Sequence, residues 1–117
     1  MKKKLWISIG VLITAFSLQA NAATYLNQTD ADKLSNYINH NSLACMSCHA
    51  INQKTVGPAF IDISRRYKNN PQTLSRLTLH IANGSTGVWG SMNMPSNMAT
   101  EAQAKTLSRL ILNLIKK

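Results

Sequence analysis

The sequence predicts an all-α fold of about four helices. Three observations carry that prediction. Apolar residues recur at spacings of three and four in successive stretches, as one buried face of a helix requires. Residues that start and stop helices flank those stretches: Asn70-Pro71, Asn83-Gly84 and Thr100 with Gln103. No stretch alternates apolar and polar residues as a half-buried strand does, and no repeat or low-complexity segment interrupts the pattern.

In chain order, residues 1–22 read as an export signal rather than as fold. Lys2, Lys3 and Lys4 precede an uncharged apolar stretch from Leu5 to Leu18, and Ala20-Asn21-Ala22 offers small residues for cleavage after Ala22. The apolar run falls short of the ~20 residues of a spanning helix, so a membrane anchor is the poorer reading. Residues 23–117 then form one small domain. The full chain has 13 Lys and Arg against four acids and a formal charge of +9, and the balance stays basic once the leading lysines are gone. No basic run with interleaved aromatics follows, so nucleic acid is a poor partner and an acidic protein surface a better one.

The first helix begins at Thr29 or Asp30 as cap and carries Leu34, Tyr37 and Ile38 on one face to about His40, which is expected in solvent. Asn41 and Ser42 interrupt it. After His49, Ala50 to Val56 reads as a loop with Asn52, Gln53 and Lys54 in water, and Gly57-Pro58 as a turn. The second helix starts at Ala59, with Phe60, Ile63 and Tyr67 inward and Asp62, Arg65, Arg66 and Lys68 mostly off that face. Asn69-Asn70-Pro71 separates it from a third, which runs through Leu74, Leu77, Leu79 and Ile81 to Asn83-Gly84. Ser85 to Ala99 is uncharged and aperiodic, holds Trp89, Met92, Met94 and Met98, and reads as a functional loop. Thr100 to Gln103 is a capping box for a last helix with Leu107, Leu110, Ile111 and Leu114 on its stripe, closed by Lys116 and Lys117.

The chemistry concentrates in Cys45-Met46-Ser47-Cys48-His49. This C-x-x-C-H pattern reads as a c-type haem attachment site: two thiols on one helical turn can each add to a vinyl group, and the adjacent imidazole reaches the iron. A Cys45–Cys48 disulfide is the competing reading, but the β-α-β pattern of a thioredoxin-like pair is missing. Zinc would need more ligands than His40 and His80 supply. The thin aromatic complement, 6% of the chain, fits a core completed by a macrocycle. With His49 on one side of an iron, a methionine sulfur on the other would suit electron transfer. Met94, followed by the stiffening Pro95, and Met92, two residues earlier, are the two candidates.

Four segments in order, Cys45 to His49, Val56-Gly57-Pro58-Ala59-Phe60, Asn83 to Gly90 and Met94-Pro95-Ser96-Asn97, together resemble the short soluble bacterial class I cytochromes c. The resemblance covers nearly all of residues 29–115. It implies about four helices around one covalent haem c, with Cys45 and Cys48 as thioether residues and His49 and Met94 as axial ligands. It also implies a Pro58 carbonyl accepting from the His49 ring, Trp89 donating to a haem propionate, and Asn97 bonding near the Met94 sulfur. Two positions depart from the family: His80 stands where an arginine commonly neutralises a propionate, and Ser96 where a second proline is common.

The function so implied is a periplasmic single-haem electron carrier rather than an enzyme, since both iron positions would be filled. Its partners would be redox proteins: a quinol-oxidising complex as donor, and a nitrite reductase, oxidase or peroxidase as acceptor. Acidic docking surfaces would suit the basic chain, and neither nucleic acid nor, after cleavage, membrane would be a partner. The haem edge is expected near Cys45, Cys48, Val56 and Met92.

Overall fold

A computed structural model describes residues 26–115. The proposed export signal, residues 1–22, and the closing lysines Lys116 and Lys117 lie outside them. The elements are α1 (Gln28–His40), a single 3-10 turn (Ala44–Ser47), α2 (Phe60–Arg66), α3 (Pro71–Asn83) and α4 (Glu101–Leu112). Among the described residues there is no β-strand, so the all-α expectation holds.

The termini of these helices follow the local chemistry. The Asn70 side chain accepts from the Thr73 N–H at 2.9 Å while Pro71, whose missing donor costs nothing there, opens α3. Thr100 and Gln103 form the complete reciprocal box on α4, at 2.9 and 3.2 Å. At α1 the expectation was off by two or three residues. Asn27, not Thr29 or Asp30, is the capping position, and the Asp30 carboxylate instead accepts from the Asn27 amide and, at 2.9 Å, from Lys33. An acid inside the first turn faces the positive end of the helix and has no need to be the cap.

α4 is the centre of the packing: it lies along α3 most extensively and also meets α1 and α2. Its Ala104, Leu107, Ile111 and Leu112 join Ala31, Leu34 and Ile38 of α1, Phe60, Ile61 and Ile63 of α2, and Leu77 and Ile81 of α3 in one core. The chain continues inward past α4, with Leu114 and Ile115 buried. That tail is held by the Asn27 N–H donating to the Leu114 carbonyl (2.9 Å) and by the Ser64 hydroxyl, which accepts from the Ile115 N–H and donates to the Leu112 carbonyl, each at 3.3 Å. Ser64, Thr78 and Ser108 are buried hydroxyls that all find acceptors, so none carries the penalty of an unpaired buried polar group. Leu79, one of the apolar residues along α3, is 50% exposed. The buried side of that helix is Leu77, Thr78 and Ile81, at the true three-and-four spacing, and Leu79 falls off it.

Candidate cofactor site

The first wall of the site is built within the seventeen residues from Cys45 to Ile61. The 3-10 turn places Cys45 and Cys48 one turn apart, and the N–H groups of Cys48 and His49 both close on the Cys45 carbonyl, at 3.2 and 3.0 Å. Both cysteines are free and half-buried. Burial pushes the Cys45 thiol above its ordinary range, against a weaker backbone hydrogen bond, so it stays protonated at neutral pH. The following loop is cinched onto Cys48, whose carbonyl accepts from the Gly57 N–H and from the Thr55 hydroxyl, both at 2.6 Å. It then docks on α2 through Phe60 N–H to Ala50 O (3.0 Å) and Ile61 N–H to Ile51 O (2.9 Å).

That folding fixes the His49 imidazole on three sides. Its Nδ1–H donates to the Pro58 carbonyl at 2.7 Å, the contact expected of Pro58, because a carbonyl can only accept. Its ring stacks on Phe60 with centroids 5.0 Å apart and planes 20° from parallel. Gly57 lies against its edge so closely that a Cβ there would sit 2.6 Å from Cε1. With Nδ1 engaged, Nε2 is the free nitrogen, and it has no protein partner among the described residues.

The second wall is the loop from Ser85 to Ala99. Ser85 and Met94 pair as an isolated antiparallel bridge, with N–H to O distances of 3.0 and 2.9 Å. Gly84, at φ 78°, lets the chain turn out of α3 and pass under this bridge: a Cβ at Gly84 would lie 2.6 Å from the Met94 carbonyl oxygen. Asn97, at φ 63°, sends its N–H back to the Ala82 carbonyl (3.0 Å), and its side-chain amide donates to the Ser96 hydroxyl at 3.3 Å.

Between the walls lies a cavity of about 390 Å³, within the range of small-molecule sites. Cys45, Cys48, His49, Pro58, Trp89 and Met94 all line it, over a floor that includes Ile63, Leu77 and Leu107. Asn97 does not line it. His80 and Met92 do, but Met92 is 64% exposed at the rim, whereas Met94 is half-buried against the core. The residues fit a covalently held haem c: two free thiols one turn apart, an imidazole with a single free nitrogen, a thioether sulfur and an apolar floor share one cavity.

Five contributors went unread in the sequence. Thr55 lay in a solvent loop, and nothing local marks its hydroxyl as a loop tie. Phe60 was read as core without its stack on His49, and Gly57 and Gly84 as turn residues without their close approaches to His49 and Met94. Arg66, which lies off the apolar face of α2 as expected and is exposed, also reaches over the second wall. Its guanidinium carbon sits 4.5 Å from the Trp89 ring centroid, and Nη1 donates to the Val88 carbonyl at 2.8 Å.

The family model for cytochrome c matches residues 42–114. Cytochrome c-551 of Ectopseudomonas mendocina is 45% identical over 73 residues, which span 62% of this chain and 89% of that protein. Cytochrome c-552 of Hydrogenobacter thermophilus is 40% identical over 70 residues, 60% of this chain and 71% of that protein. The crystal structure of wild-type Nitrosomonas europaea cytochrome c552 superposes with a TM-score of 0.62 at 37% identity, covering 68% of this chain and 98% of that one. The chain belongs to the cytochrome c family, in its small class I branch. It is thus an electron-transfer protein that carries one covalently attached haem c and exchanges electrons with redox protein partners. Among the described residues no helix is long and apolar enough to cross a membrane.

Proposed function

We propose that this protein is a periplasmic one-electron carrier, exported by residues 1–22 and working as residues 23–117, with His49 and Met94 as the iron ligands and no catalytic residue of its own. The observation that carries the proposal is the His49 hydrogen bond: Nδ1 given to Pro58 at 2.7 Å leaves Nε2 as the ligating nitrogen, in the cavity that Met94 also lines. When bound, haem c supplies the change between ferric and ferrous iron. The chain's own residues do the rest. Cys45 and Cys48 hold the group as thioethers, and Pro58, Phe60 and Gly57 fix the imidazole. The apolar floor excludes water, and Met94 supplies the soft thioether that raises the reduction potential. Trp89 lines the cavity and is the donor offered to a propionate. Asn97 acts at one remove, by holding the Met94 segment to Ala82.

Met46, Val56 and Met92 are exposed apolar side chains, and Val56 and Met92 stand at the cavity rim beside Lys54. They form the face offered to partners, a quinol-oxidising complex as donor and a nitrite reductase, oxidase or peroxidase as acceptor. The basic balance of the chain speeds encounter with acidic docking surfaces. The ligand assignment is tested by the ferric absorption spectrum of Met94→Ala and Met92→Ala. The Met–iron charge-transfer band toward the red is expected to vanish in the first and persist in the second. The reverse result reassigns the ligand to Met92, and a wild-type protein without the band has an open iron position and enzyme-like chemistry. A partner reaction rate that does not change with ionic strength would remove the steering argument.

A further inference from the structure

We propose that Arg66 is a positioning residue for the cofactor mouth: it clamps Trp89 and Val88 onto the end of α2 and thereby sets the direction of the Trp89 indole. The neighbouring arginine, Arg65, is spoken for, since its Nη1 donates to Asp62 at 3.0 Å. Arg66 pairs with no carboxylate among the described residues. It crosses twenty-two positions of sequence to the loop, donating to the Val88 carbonyl while its guanidinium plane covers the Trp89 ring at 4.5 Å. It also stands 5.9 Å from the Tyr67 ring, and Tyr67 meets Trp89 edge-on, with centroids 6.5 Å apart and planes 70° apart. Trp89 is thus held on one face by a cation and packed by an aromatic neighbour. Only a planar fork can stack and donate at the same time, so lysine is not an equivalent.

Arg66 itself is outside the cavity lining, whereas Val88, Trp89 and Tyr67 are in it. Its influence on the cofactor therefore passes through Trp89, and that half of the inference rests on the proposed function; the clamp on the loop does not. Ser85–Met94 pairing and the Asn97 tie hold the two ends of the loop, and Arg66 holds its far side.

The test is made on the haem-loaded protein in its reduced state by NMR, following the Trp89 indole N–H, with Arg66→Met as the principal variant and Arg65→Met as control. The indole N–H is expected to shift and to exchange with solvent about tenfold faster in Arg66→Met and to stay as wild type in Arg65→Met. The midpoint potential is expected to move in Arg66→Met, because the indole that Arg66 positions at the mouth is released. Arg66→Lys, which keeps the charge but not the planar fork, restores neither the potential nor the slow exchange. An indole resonance and exchange rate unchanged in Arg66→Met would overturn the clamp, and a moved indole with an unmoved potential would overturn its reach to the cofactor. Should Arg66→Met not fold, Arg66→Gln, which keeps a polar end at this exposed position, is read on the same scale. The two proposals fail separately. A protein without haem absorbance whose indole is still protected by Arg66 sinks the electron-carrier reading alone, and a normal haem spectrum with an indifferent indole sinks the clamp alone.

Discussion

The two walls of the cavity are made in different ways. The His49 wall is local: every hydrogen bond that shapes it joins residues between Cys45 and Ile61, and the motif residues are themselves the structure. The Met94 wall is assembled from a distance. Its loop has no regular structure and takes its place from Gly84 beneath the bridge, Ala82 across from Asn97, and Arg66 from another helix. The placing of His49 therefore follows from closing one short loop, whereas that of Met94 depends on α2, α3 and the loop being packed together. The second wall is the one expected to loosen first.

Breaking each wall at its glycine gives the largest contrast. Gly84→Ala combines a left-handed backbone position with a Cβ 2.6 Å from a backbone carbonyl that cannot swing away, and is expected to cost about 3 kcal/mol or more. Denaturant unfolding reads that loss, and on the proposed ligation the red Met–iron band disappears with haem still attached. Gly57→Ala presses on a side chain rather than on backbone, with an expected loss of about 1–3 kcal/mol, because the ring is pinned by Pro58 and Phe60 and can yield only by losing one of them. Its signature is a changed haem spectrum with the 85–99 loop undisturbed. If both variants lose the methionine band equally, the walls are not independent and the comparison fails.

Ser64→Ala sharpens the contrast further. It removes two bonds, to Leu112 and from Ile115, that tie α2 to the end of α4, and is expected to lower stability by about 1–2 kcal/mol with both ligand signatures kept. Thr100→Ala, which strips one side of the α4 capping box, is expected to lower stability by about 1 kcal/mol in the same measurement, with the absorption spectrum unchanged. The smallest effect belongs to His80, which lines the cavity where the family commonly has arginine. If it faces a propionate as a cation, His80→Ala is expected to lower the midpoint potential slightly, since the lost positive charge had favoured the reduced state. An unchanged midpoint potential in His80→Ala would assign that duty elsewhere.

Much of this was legible in the sequence because the governing distances are short. C-x-x-C-H, the Gly57-Pro58 turn, Asn70-Pro71 and the Thr100–Gln103 box are each decided within a few residues, and the helix faces follow from three-and-four spacing. What was not legible has the opposite character. Arg66 is exposed, as its place off the apolar face implies, but nothing near it in sequence announces its stack on Trp89. Asn97 bonds to the Ala82 carbonyl across the loop, a contact that nothing beside it in sequence announces.

By itself, then, the sequence determined the helices, the caps of α3 and α4, the all-α class and the residues able to hold a haem, because period, capping and motif chemistry act over one or two turns of chain. Only the tertiary structure decided which atoms meet: Gly57 against the imidazole edge, Gly84 under the Met94 carbonyl, Phe60 on the His49 ring, Arg66 over Trp89. The first and third of these contacts come from the closing of one short loop. The other two join segments that meet only when the helices pack, with no buried side-chain nitrogen or oxygen among the described residues left without a partner.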